Sequence, residues 1–211
     1  MIKREKLKLY AITDSSWLNG DTLAHQVELA IAGGATIVQL REKNKSKEAL
    51  KELALEIKSV CNRYKVPFIV NDDVELAKEI DADGVHVGQN DASVKSARQI
   101  LGADKIVGAT AKTIEQAQIA QEQGADYLGS GAVFGSTTKK DALPMTMELL
   151  NEICHSVQIP VVAIGGIDAT NIGQLKGTGI AGAAVVSGVF AQPDIKEACK
   201  NLIEQLDWIQ K

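Results

Sequence analysis

The chain has 211 residues, 45% of them hydrophobic and 24% charged, with a formal net charge of -4 and a pI near 5.5. That length supports one full hydrophobic core; the acidic balance argues against general nucleic-acid binding, and no apolar run is long enough to suggest a membrane span. Cys61, Cys154 and Cys199 stand far apart with no Cys-x-x-Cys pair, and the N-terminal Met-Ile-Lys-Arg-Glu-Lys has no apolar signal core behind it, so the expectation is a cytoplasmic protein without a zinc site or disulfide framework.

Short apolar runs alternate with amphipathic ones along the chain. Leu7 to Thr13 reads as a strand, and Asp21 is a plausible N-cap for a helix to Ala32 that Gly33-Gly34 stops. Ile37 to Arg41 is the next strand, followed by a charged helix from about Ser46 to Tyr64. Phe68-Ile69-Val70, after Pro67, precedes a short helix from Val74 to Ile80. Gly84 to Val87 is followed by a helix from Ala92 to Leu101, and Lys105 to Gly108 by one from Ile114 to Gln123. Tyr127 to Gly129 leads into a long loop, then a helix from Met145 to Val157. Val161 to Ile164 precedes a short helix near Asn171 to Leu175, and Ala183 to Val186 precedes the last helix, from about Ile195 to Ile209.

These are eight strands, each followed by a helix, and the strands are apolar on both faces, as expected when helices cover the sheet. Gly-Ala-Thr at 34–36 and Gly-Ala-Asp at 124–126, with Asp81-Ala82-Asp83-Gly84 as a variant, mark helix ends followed by closely packed strands. The expected fold is an α/β TIM (β/α)8 barrel near its minimum length, a single domain over residues 1–211. A doubly wound open sheet is the alternative, but the Gly-x-Gly-x-x-Gly turn it often carries is missing after Thr13.

In such a barrel the chemistry sits at the strand C-termini. Gln39, Arg41 and Lys43 alternate there and share one face in extended chain, a set suited to a heteroaromatic ring joined to phosphate. Asn71-Asp72-Asp73 and Gly88-Gln89-Asn90-Asp91 follow neighbouring strands and put carboxylates on one rim. Such like charges repel unless a cation lies between them, and magnesium accepts one or two protein carboxylates. Asp72 and Asp91 are therefore the candidate ligands, with helix capping as the competing reading for Asp73 and Asp91. Thr110 and Lys112 follow the fifth strand, where Thr113 is a candidate cap. Gly165-Gly166 and Ser187-Gly188 follow the last two strands, the usual phosphate position in barrels. Between them lies Gly131 to Lys140, Gly-Ala-Val-Phe-Gly-Ser-Thr-Thr-Lys-Lys, a loop rich in hydroxyls and ammonium groups. A phosphate pocket at strands seven and eight, opposite a basic pocket at strands two to six, suggests two phosphorylated ligands. No residue stands as a nucleophile paired with a base. His25 and His155 fall in helices and read as structural, and His86 reads as packed within the fourth strand.

Taken together, the ordered motifs resemble the thiamine phosphate synthase family over nearly the whole chain. They are Leu9-Tyr-Ala-Ile-Thr-Asp14, Val38-Gln-Leu-Arg-Glu-Lys43, Asn71-Asp72, Asp83-Gly-Val-His-Val-Gly-Gln-Asn-Asp91, Thr138-Lys-Lys-Asp-Ala142, Ile164-Gly-Gly-Ile167 and Val185-Val-Ser187. The resemblance implies a TIM barrel. It also implies a transferase that joins 4-amino-2-methyl-5-hydroxymethylpyrimidine diphosphate to 4-methyl-5-(2-hydroxyethyl)thiazole phosphate, giving thiamine phosphate and pyrophosphate with Mg2+ as cofactor. It implies that diphosphate leaves first and the thiazole nitrogen attacks the resulting cation. By position, Gln39, Arg41, Lys43 and Asn71 would meet the pyrimidine diphosphate, and Asp72 and Asp91 would hold magnesium. Thr110 would face the pyrimidine. Ser136 and Thr138 would meet the thiazole phosphate side, Lys139 the diphosphate, and Gly166, Val186 and Ser187 the thiazole phosphate. Arg41, Lys43 and Lys139 are the expected catalytic residues.

The chain departs from the family's usual pattern at Ala132 and Gly135, where prolines are common, at Ser136 for threonine, at Thr110 for serine, and at Lys112 for histidine. Two lost prolines leave the loop less pre-organised, and it is expected to act as a mobile lid touching both substrates. The alternative is a thiazole tautomerase of the same superfamily, which needs neither diphosphate nor magnesium. The expected partners are small-molecule substrates, with no nucleic acid and no membrane; a homo-oligomer is compatible with the sequence.

Overall fold

The computed structural model describes residues 2–43, 45–89, 91–135 and 144–209. Eight parallel strands close into one barrel in sequence order: β1 (Leu9–Ile12), β2 (Ile37–Leu40), β3 (Phe68–Asn71), β4 (Gly84–Val87), β5 (Ile106–Thr110), β6 (Tyr127–Gly131), β7 (Val161–Ile164) and β8 (Gly182–Val185). β8 returns to β1 with Tyr10 opposite Ala184, and Tyr10 also lies opposite Ile37 of β2. The outer elements are α1 (Leu23–Ala32), α2 (Lys47–Tyr64), α3 (Val74–Glu79), α4 (Val94–Leu101), α5 (Ile114–Glu122), α6 (Met147–Ser156), α7 (Ser187–Phe190) and α8 (Ile195–Ile209). A 3-10 turn, Ile172–Leu175, stands where a helix would follow β7.

Two apolar cores result. The larger lies between strands and helices and includes Leu9, Val38, Val70, Val85, Val107, Leu128 and Val185. The smaller lies inside the barrel and includes Tyr10, Ile12, Ile37, Ile69, Tyr127 and Val162, with Leu7 among them. Strand residues thus alternate between the two cores with period two, which is why both faces read as apolar.

Local chemistry explains where the elements start and stop. Thr22, Ser46, Asp73, Ser93, Thr113 and Thr146 each accept a backbone N–H three residues on and cap α1 to α6, each such bond contributing about 1 kcal/mol. One expectation and one competing reading are corrected here. Thr22, not Asp21, caps α1; Asp21 accepts from its neighbour's N–H and pairs with His25 at 2.8 Å. Ser93, not Asp91, caps α4, which leaves Asp91 to its rim position. The first strand also begins at Leu9, because Arg4–Leu7 forms a 3-10 turn under the barrel.

The Gly-Ala-Asp repeats do more than end helices. Ala35, Ala82 and Ala125 donate back to Ala30, Ala77 and Ala120, the long bond of a helix terminus whose preceding residue turns left-handed, at Gly34, Asp81 and Gly124. The polar residue that follows then takes the first free N–H of the preceding strand. Thr36 Oγ1 accepts from Leu9 N at 3.1 Å, Asp83 Oδ2 from Phe68 N at 2.8 Å, and Asp126 Oδ2 from Val107 N at 2.9 Å. One short motif therefore ends a helix and ties the base of two adjoining strands.

Candidate active site

A cavity of about 600 Å³ opens at the C-terminal ends of the strands. Its lining follows the strand period: Gln39, Arg41 and Lys43 from the β2 end, His86 and Gly88 from β4, Thr110 and Lys112 from β5, Gly129 and Gly131 from β6. The structure brings ten of the residues singled out in the sequence to this cavity: Gln39, Arg41, Lys43, Asn71, Asp72, Asp91, Thr110, Gly166, Val186 and Ser187. Ser136, Thr138 and Lys139 lie outside the described residues.

The basic side of the cavity keeps its charge. Glu42 sits between Arg41 and Lys43 in sequence, but its carboxylate accepts from Thr13 Oγ1 at 2.9 Å and from Ser15 Oγ at 2.5 Å and Ser15 N at 3.3 Å. Thr13 Oγ1 in turn accepts the Arg41 N–H at 3.0 Å. Glu42 is thereby held by the β1 loop, and among the described residues neither Arg41 nor Lys43 forms an ion pair with it. The two cations stay available for an anionic ligand.

Asp72 stands at the neck between β3 and α3 with φ of +63°, a left-handed conformation that costs a non-glycine residue about 1–2 kcal/mol. Its N–H donates to the His86 carbonyl at 2.8 Å, and Asp73 beside it caps α3 through Leu76 N. The turn aims Asp72 at Asp91, whose Oδ2 accepts the Gly88 N–H at 2.8 Å. Partial burial, together with a hydrogen bond and repulsion from Asp91, pushes the Asp72 carboxyl up to about 6, against the pull of Asn71 and Lys43. Two hard oxygen donors crowded enough to compete for one proton fit a magnesium ion, which would replace that proton and cancel the repulsion.

The opposite wall is built of close-packed backbone. Val133 and Phe134 donate to the carbonyls of Ile164 and Gly165, each at 3.0 Å, so the segment after β6 lies along the turn after β7. A Cβ on Gly165 would meet Ala132 Cα at 2.5 Å, and one on Gly166, where φ is +62°, would meet the Phe134 carbonyl oxygen at 2.5 Å. The glycine pair is thus required by this close approach as well as suited to exposing N–H groups. The four-residue α7 follows β8 directly and was not foreseen; Gly188 lies against the Ile167 carbonyl, where a Cβ would come within 2.4 Å.

The floor of the cavity is polar, which sequence reasoning missed. His86 reads as packed, but its ring faces the interior: Nδ1 lies 3.0 Å from Tyr127 Oη and Nε2 3.1 Å from Thr110 Oγ1. Burial lowers its pKa to about 4, with Asp91 opposing, so the ring is neutral at pH 7. The available signal was the alternation itself, since Val85 and Val87 face the helices and His86 must face the other way. The thiols are no part of this site: burial pushes Cys61 and Cys199 up to about 12 and Cys154 to about 11, and none lines the cavity.

Comparison with known proteins places the chain and its barrel among relatives. Residues 9–189 match the family model described as thiamine monophosphate synthase. A protein of Clostridium tetani named thiamine-phosphate synthase is 47% identical over 194 residues, covering 92% of this chain and 93% of its own length. One of Ruminiclostridium cellulolyticum with the same name is 48% identical over 196 residues and covers 93% of each. The structure titled thiamine phosphate pyrophosphorylase from Pyrococcus furiosus superposes with a TM-score of 0.91 at 37% identity, covering 99% of both chains.

Proposed function

The chain belongs to the thiamine monophosphate synthase family and is a transferase, and from that premise we propose that its cavity joins a hydroxymethylpyrimidine diphosphate to a thiazole phosphate by dissociative substitution. The observation that carries this reading is the composition of one cavity: Arg41 and Lys43, not paired with Glu42 among the described residues, on one wall, the Asp72–Asp91 pair beside them, and a glycine-built backbone wall opposite.

In this mechanism Arg41 and Lys43 hold the diphosphate, and Lys139 joins them by its motif position. The bond between the pyrimidine methylene and the bridging oxygen breaks, and its electron pair leaves with diphosphate. The ring's 4-amino group donates electron density to the methylene cation, so no protein nucleophile is needed. The thiazole nitrogen then gives its lone pair to that carbon. Gln39, Asn71 and Thr110 orient the pyrimidine, while Ser136, Thr138, Gly166 and the Val186-Ser187 backbone hold the thiazole phosphate. Holding two rings in attacking order supplies much of the acceleration, and stabilising the departing charge supplies the rest. Asp72 and Asp91 would hold Mg2+, which when bound neutralises charge on the departing phosphate oxygens.

Pyrophosphate release, measured with each component left out in turn, is expected only when both substrates and magnesium are present. Conversion of the thiazole alone, insensitive to chelator, would instead identify a tautomerase. A second expectation concerns pH. Because Asp72 is raised to about 6, it carries a proton at lower pH that a cation must displace. Magnesium affinity therefore weakens as pH falls below about 6, approaching tenfold per unit. Half-saturating magnesium concentrations that stay constant between about pH 5 and pH 7 would contradict the assignment.

A further inference from the structure

At the floor of the cavity, which Tyr10 and His86 also line, five side chains form one continuous hydrogen-bonded chain, of which the mechanism uses only the two ends. Gln39 Nε2 donates to Tyr10 Oη at 2.8 Å, and the Tyr10 and Tyr127 hydroxyls meet at 2.7 Å. Tyr127 Oη lies 3.0 Å from His86 Nδ1, and His86 Nε2 lies 3.1 Å from Thr110 Oγ1. Both tyrosines are buried, with their rings edge to face at 5.8 Å, and a Cβ on Gly108 would sit 2.1 Å from the Tyr127 ring. Gln39 and Thr110 both line the cavity.

With the Gln39 amide nitrogen turned toward Tyr10, counting donors sets the direction of the chain. Tyr10 accepts from Gln39, so its own proton goes to Tyr127; Tyr127 then donates to His86 Nδ1. That nitrogen is an acceptor, the ring proton is on Nε2, and Nε2 donates to Thr110 Oγ1. The Thr110 proton is left for a ligand. At the other end the Gln39 carbonyl oxygen makes no hydrogen bond among the described residues. Reversing the chain leaves the Tyr10 proton without an acceptor unless the Gln39 amide turns over as well, and a doubly protonated ring strands the Tyr127 proton; buried donors are seldom left so. The amide orientation of Gln39 and the tautomer of His86 are consequently set together.

We propose that the Tyr10–Tyr127 hydroxyl pair is a positioning device that couples these two choices, presenting an acceptor at Gln39 and a hydroxyl donor at Thr110 to the aminopyrimidine. That pattern matches an exocyclic amino group and a ring nitrogen on one ligand. The proposal rests on the pyrimidine reading of this cavity, but its first test does not. In ligand-free, uniformly 15N-labelled protein, two-bond 1H–15N correlations report each histidine tautomer, and His86→Asn assigns the His86 signals among three histidines. The Nε2–H form is expected; the Nδ1–H form overturns the proposal. Tyr127→Phe keeps the ring and removes the hydroxyl, and Tyr10→Phe does the same one step along the chain, so either variant serves if the other fails to fold. Both are expected to raise KM for the pyrimidine diphosphate about tenfold, with KM for the thiazole phosphate unchanged; Tyr127→Phe is also expected to abolish the single-tautomer pattern, whereas Tyr10→Phe leaves Tyr127 donating to Nδ1 and keeps it. Equal changes for both substrates in either variant, or a retained single tautomer in Tyr127→Phe, would reduce the pair to a packing role and overturn the proposal. Absence of turnover in the unaltered protein would sink the functional reading, while the tautomer would still decide the relay.

Discussion

Asp72→Asn is expected to lose turnover by about a hundredfold or more while leaving the barrel folded. Asparagine is the sharper test than alanine because it keeps the shape and tolerates the left-handed backbone at φ of +63°, so that only the charge is removed. Asp72→Ala is expected to lose as much turnover and some stability besides. Steady-state pyrophosphate release over a magnesium titration measures both; a variant turning over near the normal rate would remove Asp72 from the cation site. Stability should move the other way for asparagine. The folded-state pKa of Asp72 is raised, so its favourable contribution is complete below the unfolded value near 4 and is lost as pH rises through about 6. At neutral pH without magnesium the ionised pair opposes folding, and Asp72→Asn should melt no lower than the parent and gain little on adding magnesium. A melting temperature well below the parent would show that the carboxylate is structural.

The largest effect on folding is expected at Gly131→Ala. A Cβ there would sit 1.9 Å from the Ile164 carbonyl oxygen and 2.8 Å from its carbon, on the strand paired with β6. Both clashing atoms are backbone within a closed ladder, so no rotamer change relieves them, and separating the strands would break β6–β7 pairing. The variant should be destabilised by roughly 3 kcal/mol or more, or fail to fold. Gly173→Ala is the matched control, since a Cβ there meets nothing within 4 Å. Thermal melts of the two should differ by well over 5 °C on the usual scale for a domain of this size; similar melts would mean that β6 can shift at the cavity rim.

What could be read in the sequence was what depends on near neighbours. Alternating runs give the strands, and Ser46, Asp73 and Thr113 announce the helices they cap because a cap acts over three residues. Asp21 and Thr22 are both good caps and adjacent, so only the folded backbone separates them. The rim residues were legible because barrel topology sends strand ends to one face, and Gln39, Arg41 and Lys43 then follow from period two. The tyrosine pair was not. In Leu-Tyr-Ala-Ile, Tyr10 looks like barrel wall, and its partner hydroxyl belongs to a residue 117 positions away. The restraint of Glu42 by Thr13 and Ser15 was hidden for the same reason: its partners lie 29 and 27 positions away. A four-residue helix such as α7 carries too few positions to show a period.

The polar floor has one more consequence, for what the cavity leaves unreacted. A reaction that passes through an electrophilic carbon is vulnerable to any lone pair in its surroundings. Inside this barrel the hydroxyls of Tyr10 and Tyr127 and both nitrogens of His86 are engaged with one another and with Thr110. The floor is therefore polar enough to orient a ligand yet poor in free nucleophiles. In the proposed mechanism the lone pairs left to intercept the cation are then those of the rim and of water entering there, not those of the barrel interior.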